Sequence, residues 1–143
     1  MSDPLYNKKL LRLAADAAGA GRLVMPCTTG AAHNPACGDK VSVDLLLEDG
    51  RIKAIALETT ACVLTQASAS ILGADATGLN REEIASLRRA VVAMLAEKRE
   101  PPPAPFDTYS HFGAASEHGA RHRCVLLPFD AVLAAFDAET ERL

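Results

Sequence analysis

The chain of 143 residues has no tryptophan, and its aromatics are limited to two tyrosines and four phenylalanines. Alanine and leucine must therefore fill most of the core, which favours helices packed closely on a flat partner. The same scarcity removes the aromatic platforms on which unstacked nucleobases sit. No long block of basic residues occurs and the formal net charge is −3. A binder of phosphate backbone normally presents a basic face, so nucleic acid is not an expected partner. No apolar run approaches the roughly 18 residues of a membrane span, so no membrane role is expected either. The opening Met1-Ser2-Asp3-Pro4 lacks the basic stretch that begins a secretory signal. The expected location is the cytoplasm, where thiols stay reduced. No internal repeat is visible.

The length fits one domain over residues 1–143 and suffices to bury a core without staples. Four cysteines in a reduced compartment point to metal ligands or reactive thiols rather than disulfides. Residues 4–18 read as a helix, with Leu5, Leu10, Leu13, Ala14 and Ala17 at helical spacing. Residues 22–40 read mostly as loop, because Pro26, Gly30, Pro35 and Gly38 interrupt them, with a short strand over Arg22–Met25. Val41, Val43, Leu45 and Leu47 alternate with polar residues, and Asp49-Gly50 is a two-residue turn, so 41–57 reads as a β-hairpin. A helix over 62–73 follows, with Thr59 or Thr60 as its cap and an interior of small residues, Ala67-Ser68-Ala69-Ser70. Asn80 and Glu83 open a helix over 81–97 whose apolar stripe is Ile84, Leu87, Val91, Met94 and Leu95. The prolines from Pro101 to Pro105 break the pattern, and 98–120 reads as a surface excursion. A closing helix is expected over about 126–140.

The residues that carry chemistry are spread along this frame. Asn34-Pro35-Ala36-Cys37-Gly38-Asp39 sets a thiol and a carboxylate two residues apart in a loop held by a proline and freed by a glycine. Cys62 follows 25 residues after Cys37, and Cys124 another 62 later. We read Cys37, Asp39, Cys62 and Cys124 as one metal site. Cys62 at the start of a helix would meet backbone N–H groups that favour an anionic sulfur. Three thiolates and a carboxylate suit tetrahedral zinc, and the same thiolates suit a [2Fe–2S] cluster. A hard oxygen donor completes the sphere less tightly than a fourth thiolate, which suits a site that must let go of its cargo. Cys27 falls outside these motifs and reads as a bystander. His111, His118 and His122 read as residues of a solvated loop rather than a second metal site.

Asn-Pro-x-Cys-Gly-Asp, followed by a hairpin, then Cys62-Val63-Leu64-Thr65-Gln66-Ala67-Ser68-Ala69-Ser70, then Arg121-His122-Arg123-Cys124, resembles the U-type iron–sulfur cluster scaffold family, which includes the N-terminal domain of NifU and the IscU-like scaffolds. The likeness runs over roughly residues 5–138. Isc-type members usually carry His immediately before the third cysteine, where this chain has Arg123, and a Leu-Pro-Pro-Val-Lys motif that is absent here. Together with some twenty extra residues before Cys124, these departures resemble the SufU-type branch. The resemblance implies an α+β fold: a small antiparallel sheet with helices packed on it and the site at one end. It implies zinc held by Cys37, Asp39, Cys62 and Cys124. It also implies sulfur received as a persulfide from a PLP-dependent, SufS-like cysteine desulfurase and passed to downstream iron–sulfur assembly or recipient proteins. Persulfide transfer needs an attacking thiolate, and Cys37 is the leading acceptor, with Cys124 the runner-up. Arg121 matches a basic position of the zinc-bearing branch and is expected to act through site electrostatics or partner contact.

Three functions remain open at this stage. One is the zinc-bound sulfur acceptor, sulfurtransferase-like rather than a stand-alone enzyme. Another is a true [2Fe–2S] scaffold with iron at the same ligands. The third is a structural zinc domain that only binds a partner. A zinc hydrolase lacks support, since all four ligand positions are filled and no general base stands near a motif.

Overall fold

The computed structural model describes residues 7–24, 27–36 and 38–142. Its elements run α1 (Lys8–Asp16), β1 (Thr28–Asn34), β2 (Asp39–Glu48), β3 (Arg51–Thr60), α2 (Val63–Asp75), α3 (Arg81–Glu97), a 3-10 segment (Phe106–Glu117) and α4 (Gly119–Arg142). The three strands form one antiparallel sheet in the order β1-β2-β3. Helices pack on it, as the α+β expectation requires.

The hairpin expected over 41–57 is the centre of this sheet. Asp49 and Gly50 both take positive φ, as its two-residue turn demands. The blurred alternation of the return strand has a local cause. The register slips between Leu46 and Leu47, which pair with Ala54 and Ile52 and leave Lys53 over. Val41, Val43 and Leu45 face the helices and are fully buried.

The 22–40 region is not mostly loop. Its real strand is β1, six residues later than the expected one, and Arg22–Val24 lie outside any strand. Gly30, counted with Pro26, Pro35 and Gly38 among the residues that interrupt this region, has its reason in another element. A Cβ at that position would collide with the α4 backbone at Ala131, Ala134 and Ala135. The glycine lets β1 and α4 approach, and Thr28 Oγ1 donates to the Ala135 carbonyl at 2.7 Å across the same contact.

The loop before β1 also has a structural task. Gly21 N–H donates to the Leu57 carbonyl, and Leu57 N–H donates to the Gly19 carbonyl, so residues 19–21 lie along the free edge of β3. Arg22 then reaches over the outer face of the sheet to Asp44. Its Nε and Nη2 donate to the two carboxylate oxygens at 2.7 and 3.0 Å. Leu23 N–H and Thr29 Oγ1 donate to the same group. These donors hold the buried Asp44 carboxyl down at about 2.

Helix α1 begins at an Asn7 cap that accepts from Leu10 N–H. Pro4, expected in its first turn, lies outside the described residues. Helix α3 matches its expected span, and the Asn80–Glu83 capping box forms in both directions. Its five expected apolar positions are all buried.

The 98–120 excursion is corrected: it is not confined to the surface. Its 3-10 segment buries Phe106, Tyr109, Phe112 and Ala115. Tyr109 is fully buried between Phe112 and Phe129, and burial pushes its phenol well above its ordinary value. Its hydroxyl lies 3.0 Å from Ser68 Oγ and donates to the Ser68 carbonyl. The small residues of α2 thus admit an aromatic side chain from the segment. The closing helix also starts earlier than expected, at Gly119, so Cys124 sits inside α4 rather than ahead of it. No helix among the described residues is long and apolar enough to cross a membrane.

Candidate metal centre

Three of the four expected ligands meet at one end of the sheet. Asp39 opens β2, Cys62 caps α2, and Cys124 lies in the second turn of α4. One ligand atom from each falls within 4.8 Å of the others. Asp39 and Cys124 are buried, and Cys62 is half-buried. Cys37 lies outside the described residues.

Local structure brings each of them there. Asn34 pairs with Asp39 at the end of the β1–β2 ladder. Gly38 takes φ +76 and donates its N–H to the Asn34 carbonyl at 2.8 Å, while Asn34 Oδ1 accepts from Ala36 N–H. The positive φ is easy only for glycine. Cys62 follows β3 directly. The side chain of this N-cap makes no capping hydrogen bond, and Thr59 and Thr60, expected to supply the cap, belong to β3. Gln66 Nε2 donates to the Ala61 carbonyl and pins the turn.

Asp39 is held from both oxygens. Cys62 N–H donates to Oδ1 at 3.2 Å, and Thr65 Oγ1 donates to Oδ2 at 3.1 Å. The carboxylate therefore lies at the N-terminus of α2, where exposed N–H groups and the helix dipole favour negative charge. Thr65 also donates to the Cys124 carbonyl at 2.9 Å and lies 3.6 Å from Cys62 Sγ. It touches all three described ligand residues, and sequence reasoning passed it over. Its signal was spacing: a residue three after Cys62 on a helix shares its face.

The donor set fits a tetrahedral metal. Zinc–sulfur and zinc–oxygen bonds of about 2.0–2.3 Å place neighbouring ligand atoms roughly 3.5–4 Å apart. A spread within 4.8 Å needs only small side-chain adjustments to close. Two thiolates and a carboxylate leave one position of a tetrahedron for a further sulfur.

The remaining candidates stand apart or at the margin. Cys27 precedes β1, whose ladder runs from Thr28 opposite Leu45 to Asn34 opposite Asp39, so it is about 20 Å of strand away from Asp39. Arg121 is half-buried one helical turn before Cys124, and Arg123 is exposed. His122 Nε2 is buried without a hydrogen-bond partner. The His111 carbonyl accepts from Asn7 Nδ2, which ties the 3-10 segment to α1. Among the described residues, no second group of three or more His, Cys, Asp or Glu could hold a metal.

A frame of this shape defines a class of small α+β domain in which Asp39, Cys62 and Cys124 arrive from separate elements. Residues 5–111 match the family model for the NifU-like N-terminal domain, and the chain belongs to that family. It is 34% identical over 83 residues to the iron–sulfur cluster assembly scaffold protein IscU of Thermotoga maritima. That match spans 58% of this chain and 58% of the relative's length. Among solved structures it resembles the N-terminal part of a NifU-like protein from Brucella abortus. There the TM-score is 0.91 and the identity 33%, over 99% of this chain and 98% of the other. It also shares the fold of a SUF-system scaffold protein, FiSufU, from Fervidobacterium islandicum. That TM-score is 0.83 at 19% identity, over 95% of this chain and 99% of the other.

Proposed function

We propose that this chain is a cytoplasmic, single-domain iron–sulfur cluster assembly protein of the SufU type. Zinc is held by Cys37, Asp39, Cys62 and Cys124, and sulfur is taken from a PLP-dependent cysteine desulfurase for nascent clusters. The meeting of Asp39, Cys62 and Cys124 from β2, α2 and α4 is the observation that carries this reading. The family membership and the scaffold named IscU among its relatives support it.

Bound zinc would keep the cysteines as thiolates at neutral pH. The transfer itself is thiol chemistry. The Cys37 thiolate attacks the outer sulfur of the desulfurase persulfide, a new S–S bond forms on Cys37, and the desulfurase cysteine leaves as its thiolate. Cys124 is a poorer acceptor, because it is buried inside α4. Arg121, half-buried one turn before Cys124, offsets the negative charge of the ligand set or meets the desulfurase.

A [2Fe–2S] scaffold at the same ligands is the second reading, favoured by the thiolate content of the site. Metal analysis of protein purified without added metal, combined with a persulfide assay after mixing with desulfurase, PLP and L-cysteine, separates the two. The zinc reading expects about one zinc per chain by the four-ligand geometry, with persulfide on Cys37 that disappears in Cys37→Ala. Iron with acid-labile sulfide and a visible chromophore under anaerobic conditions assigns the site to a cluster instead. Zinc without sulfur uptake from any desulfurase reduces it to a structural domain. Asp39→Cys gives a further check: a structural site tolerates or gains from it, and a transfer site loses sulfur uptake.

A further inference from the structure

We propose that Thr65 is a positioning residue of the metal centre, its single hydroxyl setting the places of Asp39, Cys62 and Cys124 together. The inference rests on the metal-site reading above. It starts from a count of donors. A threonine hydroxyl offers one proton and two lone pairs. Around Thr65 Oγ1 stand Asp39 Oδ2 at 3.1 Å, the Cys124 carbonyl at 2.9 Å and Cys62 Sγ at 3.6 Å. Thr65 is fully buried, so water cannot take up the difference. Two oxygens therefore share one proton, and the placement of the second ligand residue depends on that of the first.

The group is aimed as a positioning group must be. Thr65 lies one turn after the N-cap Cys62 of α2, so the two side chains share a helix face. Asp39 is gripped on one oxygen by Thr65 and on the other by Cys62 N–H, which fixes the carboxylate plane. The hydrogen bond to the Cys124 carbonyl anchors the turn of α4 that presents the third ligand. With Asp39 turned fully to a metal, the proton is committed to that carbonyl. With Asp39 released, the hydroxyl and Cys62 N–H receive the carboxylate again. Hydrogen bonds that orient ligands in this way typically govern metal affinity by about 10–100-fold.

The test compares the wild-type chain with Thr65→Val, which keeps shape and burial but lacks the hydroxyl, and Thr65→Ser, which keeps the hydroxyl. Each apo protein is titrated with zinc against a chelator and with cobalt(II), whose visible ligand-field bands report the geometry of the bound ion. Wild type that takes up neither metal overturns the metal-site reading itself. Where wild type binds, Thr65→Val is expected to lose about 10–100-fold in affinity and to shift the cobalt bands, with Thr65→Ser close to wild type. Thr65→Val with wild-type affinity and bands overturns the inference, and so does Thr65→Ser falling as far as Thr65→Val, which would assign the effect to packing. Should Thr65→Val fail to fold, the Thr65 hydroxyl proton of the wild-type chain is followed by NMR. It is expected to move on zinc loading, and an unmoved resonance overturns the inference.

Discussion

Asp44 ties the loop before β1 to the sheet, away from the candidate metal centre. It sits on the outer face of β2, buried under the Arg22–Leu23 strap, and accepts four hydrogen bonds. Its carboxyl is held at about 2, below the ordinary 3.8, chiefly by the hydrogen bond from Arg22. A carboxyl with a depressed folded value adds stability above the unfolded value and loses it as pH falls through the folded one. The stabilisation is thus complete above pH about 4 and fades toward pH 2. Asp44→Asn is expected to lower stability by about 1–2 kcal/mol at neutral pH. That gap should close as urea melts are taken from pH 5 down toward pH 2. A constant gap across this range would remove the charge from the explanation.

At the scale of elements, the contact between β1 and α4 is the tightest test of the architecture. Gly30→Val adds a β-branched residue, ordinarily welcome in a strand, where the α4 backbone leaves no room. Overpacking of this kind costs about 1–3 kcal/mol, so the urea midpoint should fall with little change in slope. A neutral or stabilising valine would mean that β1 and α4 are further apart than described. The same contact shows where sequence reasoning reached and where it stopped. The hairpin, α3 with its capping box and the start of α2 near Cys62 were legible because their signals are local: alternation, Asp-Gly, Asn-x-x-Glu. Strand β1 was not, because Gly30 answers to Ala131 and Ala135 a hundred residues away. The 3-10 segment was hidden for a similar reason. Its prolines speak locally for an open loop, while Tyr109 is buried against Phe112 and Phe129 and reaches Ser68 of α2. The grouping of Asp39, Cys62 and Cys124 was readable from their motifs, but Thr65 became visible only once three partners surrounded it.

For the whole molecule, the candidate metal centre is a junction between segments that are far apart in sequence. Asp39 and Cys62 are separated by 23 residues, and Cys62 and Cys124 by 62. A ligand that binds the folded chain and not the unfolded one stabilises it by mass action, by about 2.7 kcal/mol at a hundredfold excess over its Kd. Zinc added to the apo protein is therefore expected to raise Tm by about 5–10 °C in calorimetry. The shift should vanish in Cys62→Ser. An unchanged Tm would separate the site from the folding of the chain.

The placement of Cys124 inside α4 also imposes an order in time. A ribosome builds a chain from its N-terminal side, so Asp39 and Cys62 exist long before their third companion has been translated. Strand β1 and the α2 face likewise wait for α4 to cover them. A growing chain cannot bring these three side chains together before residue 124 has been made.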